Sequence, residues 1–274
     1  MSKMQLGVIV RLGAVPEEAL QKVADLELPT CQLAVWNESL ATPEMAAKVK
    51  AAAEQTGVQI SAVWMGWPGP KAWNFIDGPA TLGLVPEAYR GMREQALIKG
   101  SRFAAELGVD LLVTHVGFIP ENPSDPLYPG LVASLRYIVR ECRANGQTFC
   151  FETGQETPTT LLRVFEDLGG ENVGVNLDPA NLAMYGKANP NDAAEVLGPW
   201  IRGVHAKDGL YPTDGRNLGK ETPLGQGVVD FPRLIETLKK HDYAGAITIE
   251  REISGPQQIA DIKAAVVYLS SLIN

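Results

Sequence analysis

The sequence of 274 residues has no surplus of basic side chains. Its 24 lysines and arginines are outnumbered by 32 aspartates and glutamates, which gives a formal charge of −8. No basic run interrupts this balance. Because a surface that binds nucleic acid must neutralise phosphates with clustered Lys and Arg, the composition argues against a nucleic-acid partner.

Cysteine and long apolar runs are also scarce. Cys31, Cys142 and Cys150 show no CxxC spacing, so we expect neither a disulfide framework nor a structural zinc site. This sparse set is typical of a reducing compartment, and we expect a cytoplasmic protein. No apolar run is long enough to cross a bilayer, and the segment MSKMQLGVIVRLG is interpreted as a first strand and not as a signal peptide. We therefore expect no membrane partner.

The chain does contain a regular alternation of strand and helix patterns. Short apolar runs predict strands at residues 5–10, 30–36, 58–64, 110–115, 148–152, 173–178, 201–205 and 246–250. Helical patterns follow them at residues 16–26, 43–55, 87–107, 127–144, 159–168, 191–197, 231–241 and 255–272. Gly57 and Gly108 are predicted helix ends in the left-handed conformation.

Eight alternations indicate the α/β class with parallel strands. We predict one (β/α)8 TIM barrel that takes residues 1–274 as a single domain, since such barrels occupy about 250 residues. The alternative is an open doubly wound sheet. That fold would show a glycine-rich phosphate loop after the first strand, where this chain has RLGA.

Four polar residues each end one of the predicted strands: Glu152, Asp178, His205 and Glu250. In a barrel of parallel strands, the C-terminal strand ends open onto one face, so these residues should converge there. Period-two alternation turns all four inward beside small or polar neighbours, and it turns bulky residues such as Phe149 and Phe151 toward the helices.

A single carboxylate at a strand end is most often a helix cap or a solvated loop residue. Several carboxylates buried together would repel one another strongly unless a cation lay between them. The convergence therefore predicts a site for one divalent ion, and its mixed oxygen and nitrogen donors suit Mn²⁺, Co²⁺, Zn²⁺ or Mg²⁺.

Other polar side chains are expected near this face. His115 ends strand four as a fifth ligand or, the interpretation we favour, as a substrate contact. Lys207 should point to the same side as His205 and meet a substrate oxygen, the alternative being a salt bridge to Asp208 or Glu156. Two long connections, at residues 64–86 and 207–227, are interpreted as binding loops or as packing over the rim or against another subunit.

Five segments together resemble the xylose-isomerase-like TIM-barrel superfamily of sugar isomerases and epimerases. They are FETGQET, NLDPANLAMYG, VHAKDG, PLGQGVVDFPRL and GAITIERE. The resemblance spans nearly the whole chain. By analogy with the ketose 3-epimerases, it implies one metal ion, with Mn²⁺ as the expected ion and Co²⁺, Zn²⁺ or Mg²⁺ as alternatives. The implied ligands are Glu152, Asp178, His205 and Glu250.

The resemblance also implies a mechanism. Glu152 and Glu250 would act as the catalytic acid/base pair, and removal of a proton next to a carbonyl would give an enediolate that the cation stabilises. The substrate would be a small sugar or polyol. Because the sequence contains no glycine-rich phosphate-binding motif, we expect an unphosphorylated substrate. Many relatives are dimers or tetramers, so a homo-oligomer remains open.

Candidate substrate contacts are His115, Glu156, Asn181, Lys207 and Trp64. The chain departs from the ketose 3-epimerases at two of their substrate positions. Asn181 stands where a His often follows the metal Asp by three residues, and Tyr211 stands where an Arg tends to lie six residues past the metal His. Glu156 matches their second Glu of strand five only loosely.

Three other functions compete with an isomerase or epimerase. A metal-dependent lyase or dehydratase acting on a keto-sugar or inosose would use the same enediolate. A sugar-binding protein would keep the barrel without turnover. The related AP endonucleases use a three-zinc site that consumes several histidines, whereas this chain has only three, so DNA repair is disfavoured.

Overall fold

The computed structural model describes residues 4–273, and its centre is a closed barrel of eight parallel strands. The barrel strands are β1 (Gln5–Arg11), β2 (Thr30–Val35), β3 (Gln59–Met65), β4 (Leu111–Thr114), β5 (Thr148–Glu152), β6 (Val173–Leu177), β7 (Ile201–Ala206) and β10 (Ala246–Ile249). Strand β1 pairs with both β2 and β10, which closes the ring. The predicted (β/α)8 barrel is confirmed.

The helices form a layer outside the strands. They are α1 (Pro16–Asp25), α2 (Pro43–Thr56), α3 (Gly78–Thr81), α4 (Glu87–Leu107), α5 (Leu127–Ala144), α6 (Pro158–Leu168), α7 (Pro179–Met184), α8 (Pro190–Leu197), α9 (Phe231–Lys240) and α10 (Pro256–Ile273). Gly57 and Gly108 end α2 and α4 with φ of 68° and 75°, as predicted. The short helices α3 and α7 were not predicted, because a single turn shows no periodicity.

Successive side chains of each strand point alternately into the barrel and toward the helices, as the period-two pattern predicts. Phe149 and Phe151 face outward into the core between strands and helices, where Phe151 contacts Phe165 of α6 with ring centroids 5.2 Å apart. Inside the barrel, a separate small cluster contains Ala34, Ala62, Trp64, Val113 and Cys150. Small inward side chains leave room at the barrel's centre for polar groups.

Two long connections lie on the C-terminal side of the barrel. One runs from β3 to α4 and contains α3. The other follows β7 and contains a two-stranded antiparallel ladder of β8 (Asp208–Gly209) and β9 (Glu221–Thr222). The Phe75 amide donates a hydrogen bond to the Arg216 carbonyl at 3.0 Å, which joins the two connections.

A buried charged side chain forms hydrogen bonds with the backbone of each connection. Arg93 of α4 is 0% exposed and donates hydrogen bonds to three carbonyls of the first connection, those of Pro68, Pro70 and Gly83. Asp208 accepts hydrogen bonds from four backbone amides of its own segment, those of Gly209, Gly225, Gly227 and Val229. Because buried backbone groups need partners, these side chains give the loops defined shapes.

Candidate metal and active site

The four predicted ligands lie together at the C-terminal end of the barrel. Glu152, Asp178, His205 and Glu250 each offer one ligand atom within 4.8 Å of the others. The His205 Nδ1 atom is the common neighbour: it lies 3.1 Å from Glu152 Oε1, 3.0 Å from Glu250 Oε2 and 3.8 Å from Asp178 Oδ2. The strand-end spacing therefore produces the convergence that the sequence predicts.

The two carboxylate oxygens of Asp178 have different surroundings. It follows β6 and is the N-cap of α7, where Oδ1 accepts a hydrogen bond from the Asn181 amide at 2.8 Å. The second oxygen, Oδ2, is buried and has no hydrogen-bond partner among the described residues. The cap thus fixes the side chain while it leaves one oxygen free for the cluster.

Glu152 is held on both oxygens. The indole Nε1–H of Trp64 donates a hydrogen bond to Oε2, while Oε1 faces His205 Nδ1 and also lies 3.4 Å from His115 Nε2. Burial favours the protonated form of Glu152, but the two histidines outweigh it and lower the pKa of this carboxyl. His115 lies next to Glu152 on one side and next to Trp73 on the other, with its ring centroid 5.4 Å from that of Trp73.

Lys207 is a buried cation beside the cluster. Its Nζ lies 3.6 Å from Glu250 Oε2, 3.8 Å from Asp178 Oδ2 and 3.2 Å from Glu252 Oε2. The salt bridge to Asp208 or Glu156 considered from the sequence is not among the ion pairs of the described residues. Burial works against the charged amine, but Glu250 and Glu252 raise the pKa of Lys207 well above its usual value, so it stays protonated.

The electrostatics of the cluster follow from burial and proximity. Burial raises the pKa of Asp178 to about 6, although Lys207 opposes this shift. Burial has the same tendency at Glu250, but Lys207 and His205 reverse it and lower its pKa. At His205 burial disfavours the charged ring, yet Glu152 and Glu250 raise its pKa well above 6.5. Carboxylates crowded at low dielectric demand a positive charge between them.

These residues fit a divalent cation. Asp178 Oδ2 and Glu250 Oε2 are buried oxygens without a hydrogen-bond partner in the described part of the chain, and both border the same space as His205 Nδ1. Lys207 is shared between Asp178, Glu250 and Glu252, so it offsets the negative charge of the three ligand carboxylates only in part. The cluster could therefore hold a metal ion.

A cavity of about 430 Å³ borders the cluster. Of the predicted site residues, its lining includes Glu152, Glu250, Trp64, His115 and Asn181. A volume of this size is typical of small-molecule sites. Asp178, His205 and Lys207 lie at the cluster without lining the cavity.

Comparison with known proteins places the chain in a family. A model of the xylose isomerase-like TIM barrel matches residues 20–272. The chain belongs to this family. A solved xylose isomerase domain protein from Planctomyces limnophilus is 32% identical, with a TM-score of 0.93 over 98% of this chain and 97% of that one.

More distant structures with the xylose isomerase-like fold are sugar epimerases by name. A D-psicose 3-epimerase determined with D-fructose is 16% identical, with a TM-score of 0.72 over 98% of this chain and 99% of its own. A 3-keto-D-glucoside 4-epimerase from E. coli is also 16% identical, with a TM-score of 0.71 over 98% and 100%. At these identities the likeness concerns the fold.

A curated relative covers less of the chain. An uncharacterized protein of Methanocaldococcus jannaschii is 28% identical over 162 residues, and the match covers 54% of this chain and 53% of that protein. The match thus spans about half the length of the relative. Within residues 4–273, no helix has the length and apolarity that crossing a membrane requires.

Two predicted substrate contacts, Glu156 and Lys207, do not line the cavity, and several residues that do line it were not predicted. Glu156, predicted as a substrate contact, is buried, and it is absent from the cavity lining; burial raises its pKa to about 8. Trp36, Trp73 and Tyr185 line the cavity and were not predicted as site residues. The aromatic-rich connection signalled only Trp73, whereas Trp36 follows β2 and Tyr185 follows α7, and the pattern does not show which rings reach the cavity.

Gln32 was also missed. It lies on β2, is 1% exposed, and its Oε1 lies 2.8 Å from His205 Nε2. A signal for it exists in the sequence, since an amide in the otherwise apolar run CQLAV must find a buried partner. The identity of that partner, 173 positions away, is not contained in the local pattern.

Proposed function

We propose that this xylose isomerase-like protein is a metal-dependent isomerase or epimerase of a sugar or polyol. The observation that carries the proposal is the pairing of two carboxylates at the cavity: Glu152 and Glu250 both line it, and both lie within 3.1 Å of the same nitrogen of His205. Support also comes from structural neighbours named as epimerases of sugars.

Glu152, Asp178, His205 and Glu250 would hold the ion. Three carboxylates and one imidazole suit Mn²⁺, Co²⁺, Zn²⁺ or Mg²⁺, and of these we propose Mn²⁺ by analogy with the ketose 3-epimerases. When bound, a divalent ion supplies a Lewis acid for the carbonyl and hydroxyl oxygens of the substrate. Lys207 would hold its positive charge next to Glu250 throughout, since three acidic side chains surround it.

The proton chemistry belongs to the two glutamates. One carboxylate accepts the proton from the carbon next to the carbonyl, and an enediolate results. If the other returns a proton to the opposite face of that carbon, the centre is epimerised; if the proton goes to the adjacent carbon, an aldose and a ketose interconvert. The lowered pKa of Glu152 and Glu250 keeps the accepting carboxylate ionised, so the glutamate that delivers a proton must first take one up from solvent.

Recognition of the substrate would fall to the residues at the cavity wall. Trp64, His115 and Asn181 line the cavity and would contact it, and Lys207, which lies at the cluster, would meet an oxygen near Glu250. Glu156 would contribute from behind this wall as a neutral group, since its pKa is about 8. We propose an unphosphorylated substrate, because the sequence contains no glycine-rich phosphate-binding motif.

The cellular setting is part of the proposal. Cys31, Cys142 and Cys150 are buried free thiols, which agrees with a reducing compartment such as the cytoplasm. The exposed aromatic side chains of the two long connections, Trp73 and Tyr211, would suit a homodimer or homotetramer interface.

The test begins with metal analysis of the purified protein. The protein is then incubated with ketoses, keto-glycosides and inososes in D₂O. Deuterium uptake at one carbon with conserved substrate mass supports an isomerase or epimerase, whereas loss of water or of a glycosyl group would indicate a lyase. Uptake should vanish in Glu152→Gln and Glu250→Gln and persist in Glu166→Gln, a change on the outer helix α6. Retained exchange in either site variant would refute the assignment.

A further inference from the structure

Beneath the metal cluster, three side chains form a hydrogen-bonded chain across the barrel interior. The His205 Nε2 atom of β7 lies 2.8 Å from Gln32 Oε1 of β2, and Gln32 Nε2 donates to Asn176 Oδ1 of β6 at 2.8 Å. Gln32 and Asn176 are buried, 1% and 0% exposed. None of the proposed catalytic steps uses either amide.

We propose that Gln32, braced by Asn176, is a positioning residue that turns His205 so that Nδ1 faces the metal ion. This inference rests on the proposed metal site. Gln32 does not contact the ion, but it would determine which ring nitrogen of His205 binds it.

The geometry of His205 carries the first step. Nδ1 is the ring nitrogen among the carboxylates, at 3.1 Å from Glu152 and 3.0 Å from Glu250. A metal needs the lone pair of that nitrogen, so the ring hydrogen must be carried by Nε2. A buried Nε2–H needs an acceptor, and Gln32 Oε1 lies at hydrogen-bond distance from it.

Asn176 carries the second step. An amide can present either its oxygen or its nitrogen, so Gln32 must itself be held in one orientation. Its Nε2 donates to Asn176 Oδ1, which leaves Oε1 directed at His205. With both amides reversed, Gln32 would donate to Nε2, and the ring hydrogen would lie on Nδ1 among the carboxylates, where it would block the ion.

Gly203 leaves the space in which Asn176 and Gln32 form their hydrogen bond. It lies two residues before His205 on β7, and a Cβ at this position would stand 2.3 Å from Asn176 Oδ1 and 3.5 Å from Gln32 Nε2. A methyl group there would push Asn176 away from Gln32. The glycine thus permits the two amides to meet, and it offers a variant that disconnects them without altering Gln32 or His205.

The affinity for Mn²⁺ or Zn²⁺ alone, measured by titration calorimetry on metal-free protein, tests the proposal. Gln32→Leu should weaken binding by about ten- to one-hundred-fold, as loss of an outer partner of a metal-bound histidine commonly does. Gly203→Ala should weaken binding in the same direction. Gln32→Glu keeps an acceptor for Nε2–H and should bind within a few-fold of the wild type.

Gln147→Leu is the matched control. Gln147 is another buried amide, bonded to Ser101 and to the Val109 carbonyl far from the cluster. The Gln147→Leu variant should be less stable than the wild type but should bind the ion with the same affinity. If Gln32→Leu and Gln147→Leu bind the ion equally well, Gln32 is merely structural and the inference is overturned.

A measurement on the wild type covers the case in which the Gln32 variants fail to fold. The chain has three histidines, so ¹⁵N-histidine labelling gives few imidazole signals, and variants of His115 and His241 assign them. With diamagnetic Zn²⁺ bound, His205 should show a protonated Nε2 and a metal-bound Nδ1. The reverse pattern overturns the inference and leaves the proposed function standing. A wild type that binds no metal overturns the proposed function, and this inference with it.

Discussion

The indole of Trp64, on β3, donates a hydrogen bond to Oε2 of Glu152, on β5, and so joins the aromatic wall of the cavity to the proposed metal site. The other oxygen of Glu152 faces His205. With both oxygens engaged, this carboxylate has one orientation toward the cavity. A residue predicted as a substrate contact is thereby also a partner of a proposed catalytic base.

Replacing Trp64 by Phe should impair the chemistry of Glu152. A hydrogen bond to a charged group contributes about 1.5–3 kcal/mol, so we expect deuterium exchange to slow by about ten-fold or more. Loss of a donor to the charged form also raises the pKa of the carboxyl, so the acid limb of the pH–rate profile should move to higher pH. Trp73→Phe alters the same wall without touching Glu152 and is the control; equal effects of the two variants would contradict the assignment.

Metal binding should stabilise the fold. At an ion concentration one hundred times the dissociation constant, the linkage is worth about 2.7 kcal/mol, visible as a rise in the thermal unfolding temperature of metal-free protein on addition of Mn²⁺. Asp178→Asn should abolish most of this rise, since it removes a charged ligand but keeps the N-cap acceptor. Asp230→Asn makes the same change at the N-cap of α9 and should respond as the wild type does. A normal response of Asp178→Asn would exclude this residue as a ligand.

The positions of the proposed ligands could be predicted from the sequence because a parallel barrel converts a place along a strand into a place in space. Glu152 ends β5, while Asp178 and Glu250 each follow the last residue of their strand directly. Period-two alternation then gives the direction of each side chain. Both arguments depend on repetition along the whole chain, and small errors in strand ends do not disturb them.

The partners of these ligands could not be predicted, because they depend on contacts across the barrel. A salt bridge from Lys207 to Asp208 or Glu156 was the alternative to a substrate contact, yet Asp208 is occupied by four backbone amides of its loop. The amide of Gln32 reaches His205 from three strands away in the barrel order. Local periodicity contains neither the loop geometry nor the distances across the interior.

Arg93 should be essential for the shape of the aromatic connection. Its guanidinium satisfies three loop carbonyls and lies over the Trp67 ring, 4.5 Å from the centroid. Arg93→Met would leave those carbonyls without donors, and we expect a loss of about 3 kcal/mol or more in the free energy of unfolding, measured with urea. Arg102→Met, an exposed change on the same helix, should cost little. A loss below about 1 kcal/mol for Arg93→Met would show that water replaces the guanidinium.

Glu156 should make the stability depend on pH. Burial raises its pKa from 4.5 to about 8, so between these values the folded protein binds more protons than the unfolded chain, and the free energy of unfolding falls as pH rises. At 1.36 kcal/mol per unit, the upper bound is about 4–5 kcal/mol. Glu156→Gln should remove this slope and, above pH 8, exceed the wild type in stability, whereas Glu166→Gln on the surface should not. Parallel urea-unfolding profiles for wild type and Glu156→Gln from pH 5 to 9 would show that Glu156 is ionised and solvated.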